Sequence, residues 1–213
     1  MYKNIFSFIG LFFIFSFCRA QEWTLKSDKN GIKTYAKKVT DSKINAVKIE
    51  SVYAATLAQF VAVILDVNSY DSWIYNSKST RLLKQVSPSE LYYYSEVSFP
   101  WPTVNRDFVS HVMISQDPHT KVVRVDANNV GGYVPVKSNI VRISRSSGRW
   151  IITPIAKNQL KVEYILQVDP GGDLPAWLIN PFAAKGLVET FKNLRAQVKK
   201  SDYALSHPPF ITD

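Results

Sequence analysis

Cysteine is nearly missing. The 213-residue chain has one, Cys18, so no disulfide can form within it and its core alone must hold the fold. Histidine is scarce too. His111 lies within a strand-like run, His119 beside Pro118, and His207 near the C-terminus. The sequence has no His-Glu-x-x-His, no Gly-x-Ser-x-Gly and no phosphate-cradling glycine loop. Nucleophilic and metal catalysis therefore have little to stand on, and no cofactor or metal is expected. Charged residues make up only 20 %, too few for a disordered chain. No internal repeat or low-complexity segment stands out. The longest apolar run, Ile5 to Phe17, falls short of the ~20 residues of a comfortable membrane span.

What the chain does have is apolar mass. Hydrophobic residues reach 46 %, with 12 Phe, 11 Tyr and 5 Trp. That supplies a substantial core or the wall of an apolar pocket. The formal charge is +9. It suits weak attraction to anionic lipid surfaces, although lysines spread over a soluble surface read the same way. No nucleic-acid-binding motif accompanies it, so no nucleic acid partner is expected.

Residues 1–20 read as a signal peptide: a basic start at Lys3, the apolar run, then Cys18-Arg19-Ala20 ahead of Gln21. Cleavage near Ala20 would export the mature chain to the periplasm or medium. A retained anchor is the competing reading. Lipidation of Cys18 is disfavoured, because bulky Phe17 stands where a small residue is wanted. The remainder divides into one domain over residues 21–200 and a loose tail over 201–213, and a monomer is expected.

Asn30-Gly31 marks a turn between short strands, and alternation from Ile44 to Val52 adds another. Thr56 is placed to cap a helix carrying Leu57, Phe60, Val61, Ile64 and Leu65 on one face. Trp73 beyond it suits a core anchor. From Thr80 the period becomes two. Strands are expected over Arg81–Gln85, Leu91–Phe99, Arg106–Ser115, Lys121–Asn128, Asn139–Ser146, Trp150–Pro154 and Leu160–Val168, with a break at Ser146 to Gly148. No helix signal separates them, so they should form an antiparallel meander. Pro175 then opens a last helix, Pro181 should kink or divide it near Ile179-Asn180, and Phe182 to Lys199 is amphipathic. The sum is one α+β domain, a curved antiparallel sheet wrapped around its closing helix. Such a sheet encloses more space than side chains fill, which is where an apolar ligand pocket arises.

The chain is organised around Pro100-Trp101-Pro102 and Asn105-Arg106-Asp107-Phe108, where a rigid connection leads into a strand that begins with charge. With these, Trp23, Asn30-Gly31-Ile32-Lys33-Thr34-Tyr35, Leu65-Asp66-Val67-Asn68-Ser69-Tyr70-Asp71-Ser72-Trp73, Val141-Arg142, Gly148-Arg149-Trp150 and Asp169-Pro170-Gly171-Gly172-Asp173-Leu174-Pro175-Ala176-Trp177-Leu178 recur in order. Together they resemble the START domain family of lipid-transfer domains, here as a bacterial-type secreted member. The resemblance implies a helix-grip fold with one hydrophobic tunnel, a closing helix acting as lid, and Arg106 projecting into the cavity. It implies a bound sterol, phospholipid or other apolar molecule.

A buried charge needs a partner, so Arg106 should meet Asp107, Glu96 or a ligand headgroup. Alternation sets Tyr92, Tyr94 and Glu96 on one face of their strand, and Arg106, Phe108 and Ser110 on one face of the next. Glu96 and Arg106 are expected on the cavity floor, either as a clamp on a lipid hydroxyl or headgroup or as a structural pair fixing register. Tyr94, Phe108, Arg142, Tyr164, Leu187, Phe191 and Leu194 complete the candidate ligand contacts, with plain core packing as the alternative for the apolar ones. Trp177 and Leu178 are candidates for transient membrane contact. Two other functions compete with the lipid carrier. One is a helix-grip cyclase or hydrolase using Glu96 or Asp107; the other is a structural envelope protein.

Overall fold

The computed structural model describes residues 22–40, 42–172 and 174–213. The expected signal peptide with Cys18, and Asp173, lie outside the described residues. A ten-stranded sheet forms from β1 (Thr24–Lys29), β2 (Ile32–Lys37), β3 (Ala46–Tyr53), β4 (Ser77–Ser87), β5 (Glu90–Val97), β6 (Arg106–Gln116), β7 (Val123–Asn129), β8 (Val141–Arg142), β9 (Arg145–Ala156) and β10 (Gln159–Asp169). The helices are α1 (Leu57–Leu65), α2 (Tyr70–Trp73), α3 (Ala176–Gln197) and α4 (Ser201–Ala204).

The strand order is β1-β2-β3-β10-β9-β7-β6-β5-β4, so the N-terminal hairpin joins the last strand of the meander. Pairing along that path is antiparallel. The two-residue β8 pairs parallel with β6, setting Val141 opposite Arg106 and Arg142 opposite Asp107. Asn30 and Gly31 both take positive φ in the β1–β2 turn, as a tight hairpin requires.

Thr56 caps α1 in a full capping box: its side chain accepts from the Gln59 N–H, while the Gln59 side chain accepts from the Thr56 N–H. The apolar face of α1 meets the sheet through Phe60, whose ring lies 5.2 Å from Tyr53 and 6.2 Å from Trp150. Leu91, Val112, Val125, Ile152 and Val162, inward-facing residues of five strands, fill the same end of the molecule. On α3, Phe191 and Leu194 are fully buried there, and Phe191 stacks on Trp150 at 5.5 Å. Truncating such an aromatic to Ala costs about 3–5 kcal/mol.

Four expectations need correction. Asn139–Ser146 is not one antiparallel strand: only Val141 and Arg142 form β8, it pairs parallel with β6, and Arg145 and Ser146 already belong to β9. The chain does not break at Ser146 to Gly148, because β9 runs straight through them. Gly148 serves packing, not turning: a Cβ there would lie 2.6 Å from the Tyr164 hydroxyl oxygen. Pro175 is the N-cap of α3 and not its first helical residue, and α3 continues undivided through Pro181. The tail is not loose. Tyr203 is buried and donates to Asp66 at 2.7 Å, Phe210 and Ile211 pack on the core, and Asp213 accepts from the Ala58 N–H at 3.0 Å. That carboxylate satisfies one of the open N–H groups at the start of α1.

Candidate functional site

Packing is complete at the α1 end of the sheet and incomplete at the other. Between α3 and the inner faces of β5, β6, β7, β9 and β10 lies a cavity of about 220 Å³. Its lining includes Tyr93, Phe108, Trp150, Tyr164 and Leu166 from the sheet, and Ile179, Phe182, Ala183 and Leu187 from α3. Among the described residues, none that lines it is charged. A second hollow, open and polar, of about 610 Å³, adjoins it between residues 39–44, the start of β9 and the end of β10. The two share Asn129, Ser146, Val168 and Pro170.

Phe99, just ahead of Pro100, meets Phe182 of α3 in the wall of this cavity, their rings 4.9 Å apart. Arg106 ties this region together. It is on the cavity's face of β6 yet is not among the lining residues, one step beyond Phe108. Its guanidinium donates to the carbonyls of Val104, Pro170 and Gly171, the latter two at 3.4 Å, and sits 4.6 Å from the Phe99 ring. It makes no ion pair among the described residues, and burial pulls its pKa down. Two tryptophans are exposed nearby in sequence, Trp101 at 92 % and Trp177 at 76 %.

The outer face of the same strands carries the charge. Register sets Glu96 opposite Asp107 and Val97 opposite Arg106. Asp107, fully buried, accepts from Arg142 at 2.6 and 3.0 Å and from the Tyr94 hydroxyl at 3.1 Å. Arg142 also donates to the carbonyls of Val134 and Pro135, which closes the 130–140 segment over the sheet. Glu96 accepts from Lys78 at 2.8 Å, Asn105 at 3.0 Å and Lys137 at 3.3 Å. The Lys78 ammonium leads in holding its carboxyl below the ordinary glutamate range, against the opposing effect of burial.

The START domain model matches residues 18–202. A STAR-related lipid transfer protein of Xanthomonas axonopodis is 31 % identical and superposes with a TM-score of 0.77, over 84 % of this chain and 99 % of that one. The chain belongs to the START family. An uncharacterized protein of Pseudomonas aeruginosa is 31 % identical over 182 residues, 85 % of this chain and 89 % of that protein. The phosphatidylcholine transfer protein of Mus musculus is 26 % identical over 178 residues, 81 % of this chain and 82 % of its own.

In this START domain the expected clamp of Glu96 on Arg106 does not form. The two side chains stand on opposite faces of the sheet, since Arg106 pairs across with Val97. Tyr94 and Arg142 are likewise outside the cavity, committed to Asp107. Phe108, Tyr164 and Leu187 line the cavity, whereas Phe191 and Leu194 belong to the core behind it. Trp177 is exposed and Leu178 half-buried at the start of α3. Tyr93, Ser110, Asn129 and Ser146 also line the cavity and were not among the expected contacts. A signal for one existed: Ser110 shares its strand parity with Phe108.

Proposed function

We propose that this START domain binds one hydrophobic ligand non-covalently in the cavity under α3 and passes it to or from a membrane surface, without catalysis. The observation that carries the reading is the cavity itself, a largely apolar space, uncharged among the described residues, left between a helix and a sheet that pack together elsewhere. The relatives named as lipid-transfer proteins support it. At about 220 Å³ the cavity lies below the ~300–1,000 Å³ usual for ligand pockets, so loading a lipid requires α3 and the Arg106 contacts to give way. Two of those contacts are long, which suits an opening that must recur.

Exposed Trp101 and Trp177 are the aromatic anchors such an encounter would use, helped by a basic surface at anionic headgroups. Export behind the N-terminal signal would place the exchange in the cell envelope, with the protein acting as a monomer. Native mass spectrometry of the protein purified from its own envelope tests the reading. A single adduct of lipid mass, released by solvent, is the expected result. Protein that is empty, and that takes up no fluorescent fatty acid, sterol or phospholipid, would overturn it.

A further inference from the structure

Along the inner face of the sheet, one row interrupts the apolar lining. Register sets Tyr93 of β5 opposite Ser110 of β6, and Ser110 opposite Asn129 of β7. Asn128 pairs with Ser147, which brings Ser146 of β9 beside Asn129. All four line the cavity. Tyr164 adds a fifth polar group, its hydroxyl lying over Gly148, where the missing Cβ makes room. The row therefore runs from beside the Tyr70 ring, 5.3 Å from Tyr93, to the rim of the polar hollow.

These groups are uncharged; Tyr93 and Ser110 lie within hydrogen-bonding reach of each other, and the others are incompletely used. Asn129 gives an amide proton to the Ile143 carbonyl, and its side-chain oxygen accepts none from the described residues. The Tyr164 hydroxyl has no hydrogen-bond partner among the described residues. Burial pushes the Tyr93 hydroxyl up to about 12 and Tyr164 higher, so both stay protonated donors at any physiological pH. A polar group inside an apolar wall is costly unless something bonds it.

Resting on the carrier reading, we propose that this neutral row, Tyr93, Ser110, Asn129 and Ser146 with Tyr164, selects a hydrophobic ligand bearing an uncharged hydrogen-bonding group. An alcohol, ketone or amide fits. A carboxylate or ammonium at that depth finds no counter-charge among the described residues, none of which lines the cavity with a charged side chain. A charged end of the ligand, where there is one, lies outward in the polar hollow, which Lys43 and the Arg145–Asp169 pair line.

Three probes of one ring size test this: naphthalene, 2-naphthol and 2-naphthoate, titrated calorimetrically at neutral pH into the purified protein. The expected order is 2-naphthol tightest and 2-naphthoate weakest. Tyr93→Phe with Tyr164→Phe keeps both rings and should weaken 2-naphthol about 3- to 10-fold per lost hydrogen bond, leaving naphthalene unchanged. Ser110→Ala is an independent second variant with the same expected selectivity. If 2-naphthoate binds as well as 2-naphthol, or the variants shift all three probes alike, the selection is overturned and the carrier reading stands. If none of the three binds, both fall.

Discussion

On the outer face of β5 and β6, Asp107 holds Arg142 and Tyr94, and Glu96 holds Lys78, Lys137 and Asn105. On the inner face of the same two strands, Tyr93, Phe108 and Ser110 look into a void. Residues 93–96 and 107–110 thus carry both arrangements, separated only by the period-two alternation of a strand. The charged face is saturated with partners and fixes shape by closing the 130–140 segment over the sheet. The neutral face is left short of partners, and a group short of partners is what a ligand can supply. On these two strands charge therefore marks structure, and its absence marks the face proposed for binding.

The strongest way to break that division is Asp107→Ala. It strands Arg142 and the Tyr94 hydroxyl together, and losing one member of a buried pair should cost about 3 kcal/mol in urea unfolding. Probe affinity, measured well below the unfolding transition, should stay unchanged; a parallel loss of binding would mean the two faces are coupled. Gly148→Ala attacks the inner face instead. Its Cβ would come within 2.6 Å of the Tyr164 hydroxyl and 3.2 Å of two ring carbons. Overpacking of this kind costs about 1–3 kcal/mol. Tyr164→Phe removes the nearest clashing atom, so the double variant should be more stable than Gly148→Ala alone. Additive losses would show that the tyrosine has already moved aside.

How much of this was legible in the sequence differs between the two faces. Alternation correctly grouped Arg106 with Phe108 and Ser110, and Tyr94 with Glu96. It could not say which group of one strand faces which group of the next. The segment from Ser98 to Asn105 is too long for turn chemistry to fix the register, and an offset of one residue sends Glu96 to the opposite side of the sheet. The Arg142–Asp107 pair spans 35 residues of chain and rests on a parallel two-residue strand, for which no local signal exists. By contrast the Asn30-Gly31 hairpin and the Thr56 cap rest on local chemistry, and each formed where that chemistry placed it; the closing helix formed as well, but one residue later and undivided at Pro181. The tail misled for the same reason as the register: Phe210, Ile211 and Asp213 are anchored by distant partners.

Acid probes the outer face more gently. The carboxyl of Glu96 is held below its ordinary value of about 4.5, so its stabilising contribution is present at higher pH and is lost as pH falls through the lowered value. Urea midpoints should therefore fall in acid below that range, and Glu96→Gln should remove part of the slope while lowering stability at neutral pH. An unchanged slope would assign the acid sensitivity to the other lowered carboxyls, Glu50, Asp117 and Asp169.

The smallest effect on stability belongs to the surface that the two faces leave aside. Trp101 and Trp177 have most of their area in water, so Trp101→Ser with Trp177→Ser should move stability by no more than about 0.5 kcal/mol per site. Binding to vesicles of phosphatidylglycerol and phosphatidylcholine should fall several-fold, with or without added salt, because apolar insertion is not screened. Loss of binding confined to low salt would instead point to the lysines. Naphthol affinity in solution should not change, since neither tryptophan lines the cavity. A variant that loaded its ligand normally yet released it slowly to vesicles would separate the membrane encounter from the binding site, and would make Trp177, at the start of α3, part of the opening step.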